Sequence, residues 1–217
     1  MDDFHLHPMR KFATLPSMRW TLSNRLTLAR VALIPLLMLA FLLPGIIGHA
    51  LAATIFALAS FTDWLDGYLA RKRNEVTPFG RFLDPVADKL LVATALVLLV
   101  SSDRCPALLA VVIIGREITI GALREWLATR DTIVHVSLLA KWKTAVQMMA
   151  ITALLLHDEV FGLNMHDAGT ALLWLAAAIT LWSAYEYLRD AWPELIHPEE
   201  GSAEVVRLHE RSTKGGE

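Results

Sequence analysis

Six runs of apolar residues, each about as long as a membrane-crossing helix, alternate along the 217-residue chain with short polar connections. They fall at about Leu26–Leu43, Ala50–Leu69, Phe82–Val100, Ala107–Leu127, Val136–Leu156 and Gly169–Leu188. The pattern predicts an all-α integral membrane protein with six transmembrane helices. Connections near Pro44–His49, Ser101–Pro106 and His157–Asp167 carry a single Lys or Arg between them, Arg104, while Arg10, Lys11, Arg19, Arg25, Arg71, Lys72, Arg73, Arg81, Arg130, Lys141, Lys143 and Arg189 gather on the other side. Short basic loops stay in the cytosol, so both termini are expected there.

Composition agrees, with 55% hydrophobic and only 19% charged residues and a mean hydropathy of +0.45. The net charge of −2 carries little information, and nucleic acid is not an expected partner. A lone Cys105 excludes an intrachain disulfide, and no Cys/His spacing suited to zinc is present. Residues 1–22 form an N-terminal segment in which Met9–Trp20 mixes apolar and basic side chains, as an interfacial stretch would, with Pro16 interrupting it. No cleaved signal peptide is expected. Residues 23–190 make the helical domain, and 191–217 a polar cytosolic tail, loosely attached or disordered from Pro193. The numerous Trp residues, including Trp20, Trp126, Trp142, Trp182 and Trp192, suit interfacial anchoring.

Charge inside apolar runs changes the picture. The segments Phe61-Thr-Asp-Trp-Leu-Asp-Gly-Tyr-Leu-Ala-Arg71 and Phe79-Gly-Arg-Phe-Leu-Asp-Pro-Val-Ala-Asp-Lys89 place Asp63, Asp66, Asp84 and Asp88 at the cytosolic ends of spans two and three. An acid at the bilayer centre costs roughly 2.5–3.5 kcal/mol even on lenient scales, so such groups line polar cavities or bind ions. Separations of three and four residues put each pair on one helix face. Four carboxylates in low dielectric repel unless cations lie between them, and hard cations such as Mg²⁺ take oxygen ligands and grip phosphate as well. Gly67, Ala70 and Gly80 reduce bulk near the acids, and Arg71 offers a planar fork for phosphate. Taken singly, the small residues also suit helix packing and Arg71–Arg73 a topology anchor.

With Asp63, Asp66, Gly67, Ala70, Arg71, Gly80, Asp84 and Asp88 in the order D-x2-D-G-x2-A-R-x8-G-x3-D-x3-D, the chain resembles the CDP-alcohol phosphatidyltransferases over about residues 20–190. The resemblance implies transfer of a phosphatidyl group from CDP-diacylglycerol to an alcohol with release of CMP. It also implies two Mg²⁺ ions, Mn²⁺ being an alternative, on Asp63, Asp66, Asp84 and Asp88, with Asp88 as catalytic base. CDP-diacylglycerol contacts are implied at Asn24, Thr27, Gly67, Arg71 and Thr77. A homodimer in a bacterial cytoplasmic membrane, with the active site facing the cytosol, is the family expectation.

Acceptor choice lies elsewhere. Arg116 and Arg124 in Gly115-Arg-Glu-Ile-Thr-Ile-Gly-Ala-Leu-Arg-Glu-Trp126, with Lys141 at the start of span five, are candidates for a cationic pocket around a phosphorylated acceptor. The alternative for Arg116 is a pair with Glu117 or with an Asp of the motif, and that for Lys141 and Lys143 is an interface anchor that snorkels to water, the reading adopted for Lys143. These segments, with Gln147 and Asn24–Arg30, are similar to the phosphatidylglycerophosphate synthase branch, which implies sn-glycerol 3-phosphate as acceptor. The visible departure is Ala140, where a Gly is expected. Cardiolipin synthesis and phosphatidylinositol phosphate synthesis remain alternatives within the family, and a divalent-cation transporter outside it.

Overall fold

The computed structural model describes residues 22–73, 78–128, 139–160 and 162–196, and within these helices the side chains of 22–24, 63–73, 78–79, 81–82, 139–141 and 193–194 are not described. Among the described residues six helices follow in order: α1 (Leu22–Phe41), α2 (Gly45–Arg73), α3 (Pro78–Ser101), α4 (Ala107–Ala128), α5 (Leu139–Leu156) and α6 (Met165–Ile196). α2, α3, α4 and α6 each contain one of the apolar runs, α1 stops at Phe41, two residues short of the end of its run, and α5 starts at Leu139, the first residues of its run (136–138) lying outside the described residues. Among the described residues two helices hold windows long and apolar enough to cross a membrane by themselves, Gly45–Thr62 and Met165–Trp192. The boundaries shift outward where polar residues continue a helix. At α2 this takes the helix about 44 Å from Gly45 to Arg73, longer than the roughly 30 Å hydrocarbon core. At the other end of the chain, α6 continues to Ile196, so the first residues assigned to the polar tail are helical.

Packing follows residue size. Small residues Ala52, Ala59, Ala95, Ala150 and Ala177 are buried at helix crossings beside Leu37, Phe56, Leu91, Leu96, Ile113 and Leu154. Outward positions such as Leu39, Ile47, Leu58, Val111, Ile118 and Leu181 are exposed, the arrangement expected where lipid rather than water is the solvent. Trp142, Trp182 and Trp192 are also exposed. A smaller cluster of Ile120, Leu127, Tyr187 and Ala191 joins α4 to α6. At the α5–α6 crossing, a Cβ on Gly169 would lie 2.9 Å from the Leu154 backbone nitrogen and 3.1 Å from the Ala150 oxygen, so only glycine permits this approach.

A two-residue antiparallel ladder, β1 (Glu159–Val160) with β2 (Leu163–Asn164), links α5 to α6. Gly162 there has φ 78°, the left-handed backbone that glycine adopts without strain. Asn164 then caps α6, its Oδ1 accepting the Asp167 N–H at 3.2 Å.

The connections at this end carry a polar cluster that the apolar pattern did not reveal. Arg104 Nη2 donates to His49 Nε2 at 2.6 Å, and His49 Nδ1 lies 2.7 Å from Asp158 Oδ2. Arginine can only donate, so Nε2 is the acceptor and the His49 proton sits on Nδ1, facing the carboxylate. Arg104 also lies 5.5 Å from the Phe41 ring centre. His157 meets His49 and His166 edge to face at 5.7 and 5.2 Å. These contacts tie the start of α2, the α3–α4 connection and the α5–α6 connection together. Because Asp84 lies near the start of the 24-residue α3 and Arg104 just beyond its end, the two polar clusters stand at opposite ends of a helix about 36 Å long.

Candidate active site

Asp84 and Asp88 sit one turn apart on α3, on either side of Pro85, which removes a backbone donor from the helix at that point. Both are partly buried. Thr27 on α1 is fully buried and its hydroxyl donates a short hydrogen bond to Asp84 Oδ1. That contact fixes the α1–α3 pairing and orients one carboxylate. The same α1 face carries Arg30, whose guanidinium is fully buried as well.

Asp63, Asp66, Gly67 and Arg71 lie on α2, Asn24 on α1 and Lys141 on α5; their side chains fall outside the described residues, as does Thr77 altogether. Among the described residues no three His, Cys, Asp or Glu side chains converge on a metal position, and of the four aspartates only Asp84 and Asp88 are described in side chain. The donor set fits a hard cation, since carboxylate oxygens are what Mg²⁺ and Mn²⁺ bind.

Asp88 opens on a cavity of about 270 Å³ between α3, α4 and α5, walled by Lys89, Glu117, Thr144, Gln147 and Met148 among others. One side is charged. Glu117 Oε1 accepts from Arg116 Nη1 at 2.8 Å and from Lys143 Nζ at 2.5 Å, while Arg116 Nη2 donates to Ser183 Oγ on α6 at 3.2 Å. The sequence expectation for Lys143 is corrected here: it is buried, with its side chain 4% exposed, because Glu117 supplies a counter-charge inside the bundle. Arg116 is likewise paired to Glu117, the alternative weighed for it above. Arg124 is exposed and its guanidinium lies 5.7 Å from the Tyr187 ring; with Arg116 it stands within electrostatic range of Lys143. Two cations thus meet at one carboxylate beside the Asp88 cavity.

Sequence reading missed the role of Glu117 as the hub, the burial of Lys143 and the Thr27–Asp84 bond. A signal existed for the first two. Glu117 and Lys143 are opposite charges within apolar runs, where unpaired ions are costly.

Residues 20–182 match the model of the CDP-alcohol phosphatidyltransferase family. The CDP-diacylglycerol–glycerol-3-phosphate 3-phosphatidyltransferase of Pseudomonas fluorescens is 49% identical over 177 residues, covering 79% of this chain and 90% of the relative. The protein of the same name from Bacillus subtilis (strain 168) is 44% identical over 188 residues, 81% of this chain and 97% of the relative. A cardiolipin synthase (CMP-forming) of Oryza sativa subsp. japonica is 44% identical over 207 residues, covering 87% of this chain and 60% of that protein. With the aspartate motif on α2 and α3 and a match across most of its length, the chain belongs to the CDP-alcohol phosphatidyltransferase family.

Proposed function

We infer that the protein transfers the phosphatidyl group of CDP-diacylglycerol to sn-glycerol 3-phosphate, giving phosphatidylglycerophosphate and CMP. The observation that carries this is the 49% identity to the Pseudomonas fluorescens transferase across 90% of that protein. The cavity shared by Asp88 and the Arg116–Glu117–Lys143 network supports it.

In the proposed reaction a hydroxyl oxygen of the acceptor attacks the phosphatidyl phosphorus. An O–P bond forms, the bond from that phosphorus to the bridging oxygen breaks, and CMP leaves with the electron pair. Asp88 accepts the hydroxyl proton. Asp63, Asp66, Asp84 and Asp88 would hold two divalent cations, Mg²⁺ by preference, whose charge offsets that building on the pyrophosphate as it is cleaved. Thr27 holds Asp84 in place. Asn24, Thr27, Gly67, Arg71 and Thr77 are proposed to contact CDP-diacylglycerol, and Arg116, Arg124 and Lys141 the phosphate of the acceptor. For Arg116 this requires the acceptor phosphate to share or replace Glu117 as its partner.

The six helices are proposed to cross a bacterial cytoplasmic membrane with both termini and the active site on the cytosolic side, where CDP and glycerol phosphate are dissolved. Residues 23–190 would then be the catalytic domain, flanked by an interfacial N-terminal segment and a polar tail, and a homodimer is the proposed assembly.

Identity to the rice cardiolipin synthase favours phosphatidylglycerol as the second acceptor to consider. Acceptor competition separates the two. With CDP-diacylglycerol and Mg²⁺, CMP release should depend on sn-glycerol 3-phosphate and not on phosphatidylglycerol or an inositol phosphate; release with phosphatidylglycerol alone would transfer the assignment to cardiolipin synthesis.

A further inference from the structure

The cavity beside Asp88 has a wall that the phosphoryl chemistry leaves unused. Gln147, on α5, lines it and is only 3% exposed. Its Oε1 is buried with no hydrogen-bond partner among the described residues. An unmet buried acceptor costs about 1–3 kcal/mol, so it persists where something else uses it. The carboxylates of Asp88 and Glu117 are acceptors and do not supply a donor to it. Lys143, one turn away on α5, is engaged by Glu117. A carbonyl oxygen in this position can accept from a donor that arrives with the substrate, and a hydroxyl is such a donor.

Glycerol phosphate has two hydroxyls. The primary one is the less hindered nucleophile, whose proton passes to Asp88 in the reaction proposed above. The secondary one does not react. We propose that Gln147 Oε1 accepts a hydrogen bond from the non-reacting secondary hydroxyl of the acceptor, which makes Gln147 a specificity-determining residue of this cavity. The assignment rests on the glycerol phosphate reading. It adds that the enzyme recognises a vicinal diol phosphate rather than any small phosphorylated alcohol. A site built to pair a substrate hydroxyl rejects the analogue without it, because its own buried group is then left unpaired.

The test uses the full-length enzyme in detergent with CDP-diacylglycerol and Mg²⁺. CMP release is followed with sn-glycerol 3-phosphate and with 3-hydroxypropyl phosphate, which keeps the phosphate and the primary hydroxyl but lacks the secondary one. Wild type should prefer glycerol phosphate in kcat/KM by roughly tenfold, the worth of one such hydrogen bond. Gln147→Met keeps the shape and removes the acceptor; it should lose that preference through a higher KM for glycerol phosphate, with 3-hydroxypropyl phosphate turnover and the KM for CDP-diacylglycerol unchanged. Gln147→Asn, which draws the carbonyl back by one methylene, should move the same way and serves if the Met variant fails to fold. An equal fall on both acceptors, or no fall, overturns the role of Gln147 while leaving the function intact. No CMP release by wild type with glycerol phosphate would overturn both.

Discussion

Lys143 on α5 is buried with its ammonium 2.5 Å from Glu117 Oε1 on α4, and the same oxygen takes Arg116. Removing the carboxylate leaves Lys143 without its counter-charge in a site that water barely reaches. Breaking a buried pair costs about 3–5 kcal/mol; Glu117 is 30% exposed, which reduces the expected loss for Glu117→Gln to about 2 kcal/mol. Thermal unfolding in detergent should show it. Lys143→Met in the same background should restore most of the loss, a coupling that a double-mutant cycle reads directly.

Thr27 contributes through Asp84. Its hydroxyl donates to a carboxylate proposed to bind metal, and loss of such a supporting contact typically weakens metal affinity by about 10–100-fold. Thr27→Val should therefore raise the Mg²⁺ concentration needed for half-maximal CMP release by about tenfold or more. Thr27→Ser, which keeps the donor, should leave it near the wild-type value.

At the far end of the bundle, burial lowers the pKa of His157, and the nearby Arg104, His166 and His49 push it the same way, with Asp158 opposing. The folded protein thus favours neutral His157. Below the ordinary histidine pKa of about 6.5, the unfolded chain takes up a proton that the folded one does not. Stability is full above that pH and falls as pH drops toward the depressed folded value. His157 has φ 61°, a conformation asparagine tolerates, so His157→Asn should fold and flatten the acid limb. Melting temperatures between about pH 5 and 8 check this.

Two glycines separate packing from propensity. Nothing lies within 4 Å of a Cβ added to Gly115, whereas one on Gly169 meets the α5 backbone. Gly115→Ala should stabilise α4 by about 0.5–1 kcal/mol. Gly169→Ala should force α5 and α6 apart and cost about 1–3 kcal/mol. Comparing the two variants by thermal unfolding distinguishes the effects.

Much of this architecture was written in the apolar runs, because a helix that must satisfy its backbone in lipid shows itself as an unbroken hydrophobic stretch. The aspartate pairs were legible for the opposite reason, since charge in such a stretch needs a purpose. Partners across helices were not legible. Nothing in the spacing of Thr27 and Asp84, or of Glu117 and Lys143, says that their helices adjoin, and a lysine near a span end reads equally well as a snorkelling anchor. The Arg104–His49–Asp158 tie stayed hidden because its members come from the start of α2 and from two separate connections, each unremarkable alone.

The assignment of Asp88 as proton acceptor in phosphatidyl transfer to glycerol phosphate is tested most directly by CMP release from purified protein given CDP-diacylglycerol, sn-glycerol 3-phosphate and Mg²⁺, beside folded Asp88→Asn. Release by wild type that requires the acceptor, stops with EDTA and falls by at least about 10²-fold in the variant is the predicted result. Release that persists in Asp88→Asn, or that never depends on glycerol phosphate, would contradict it.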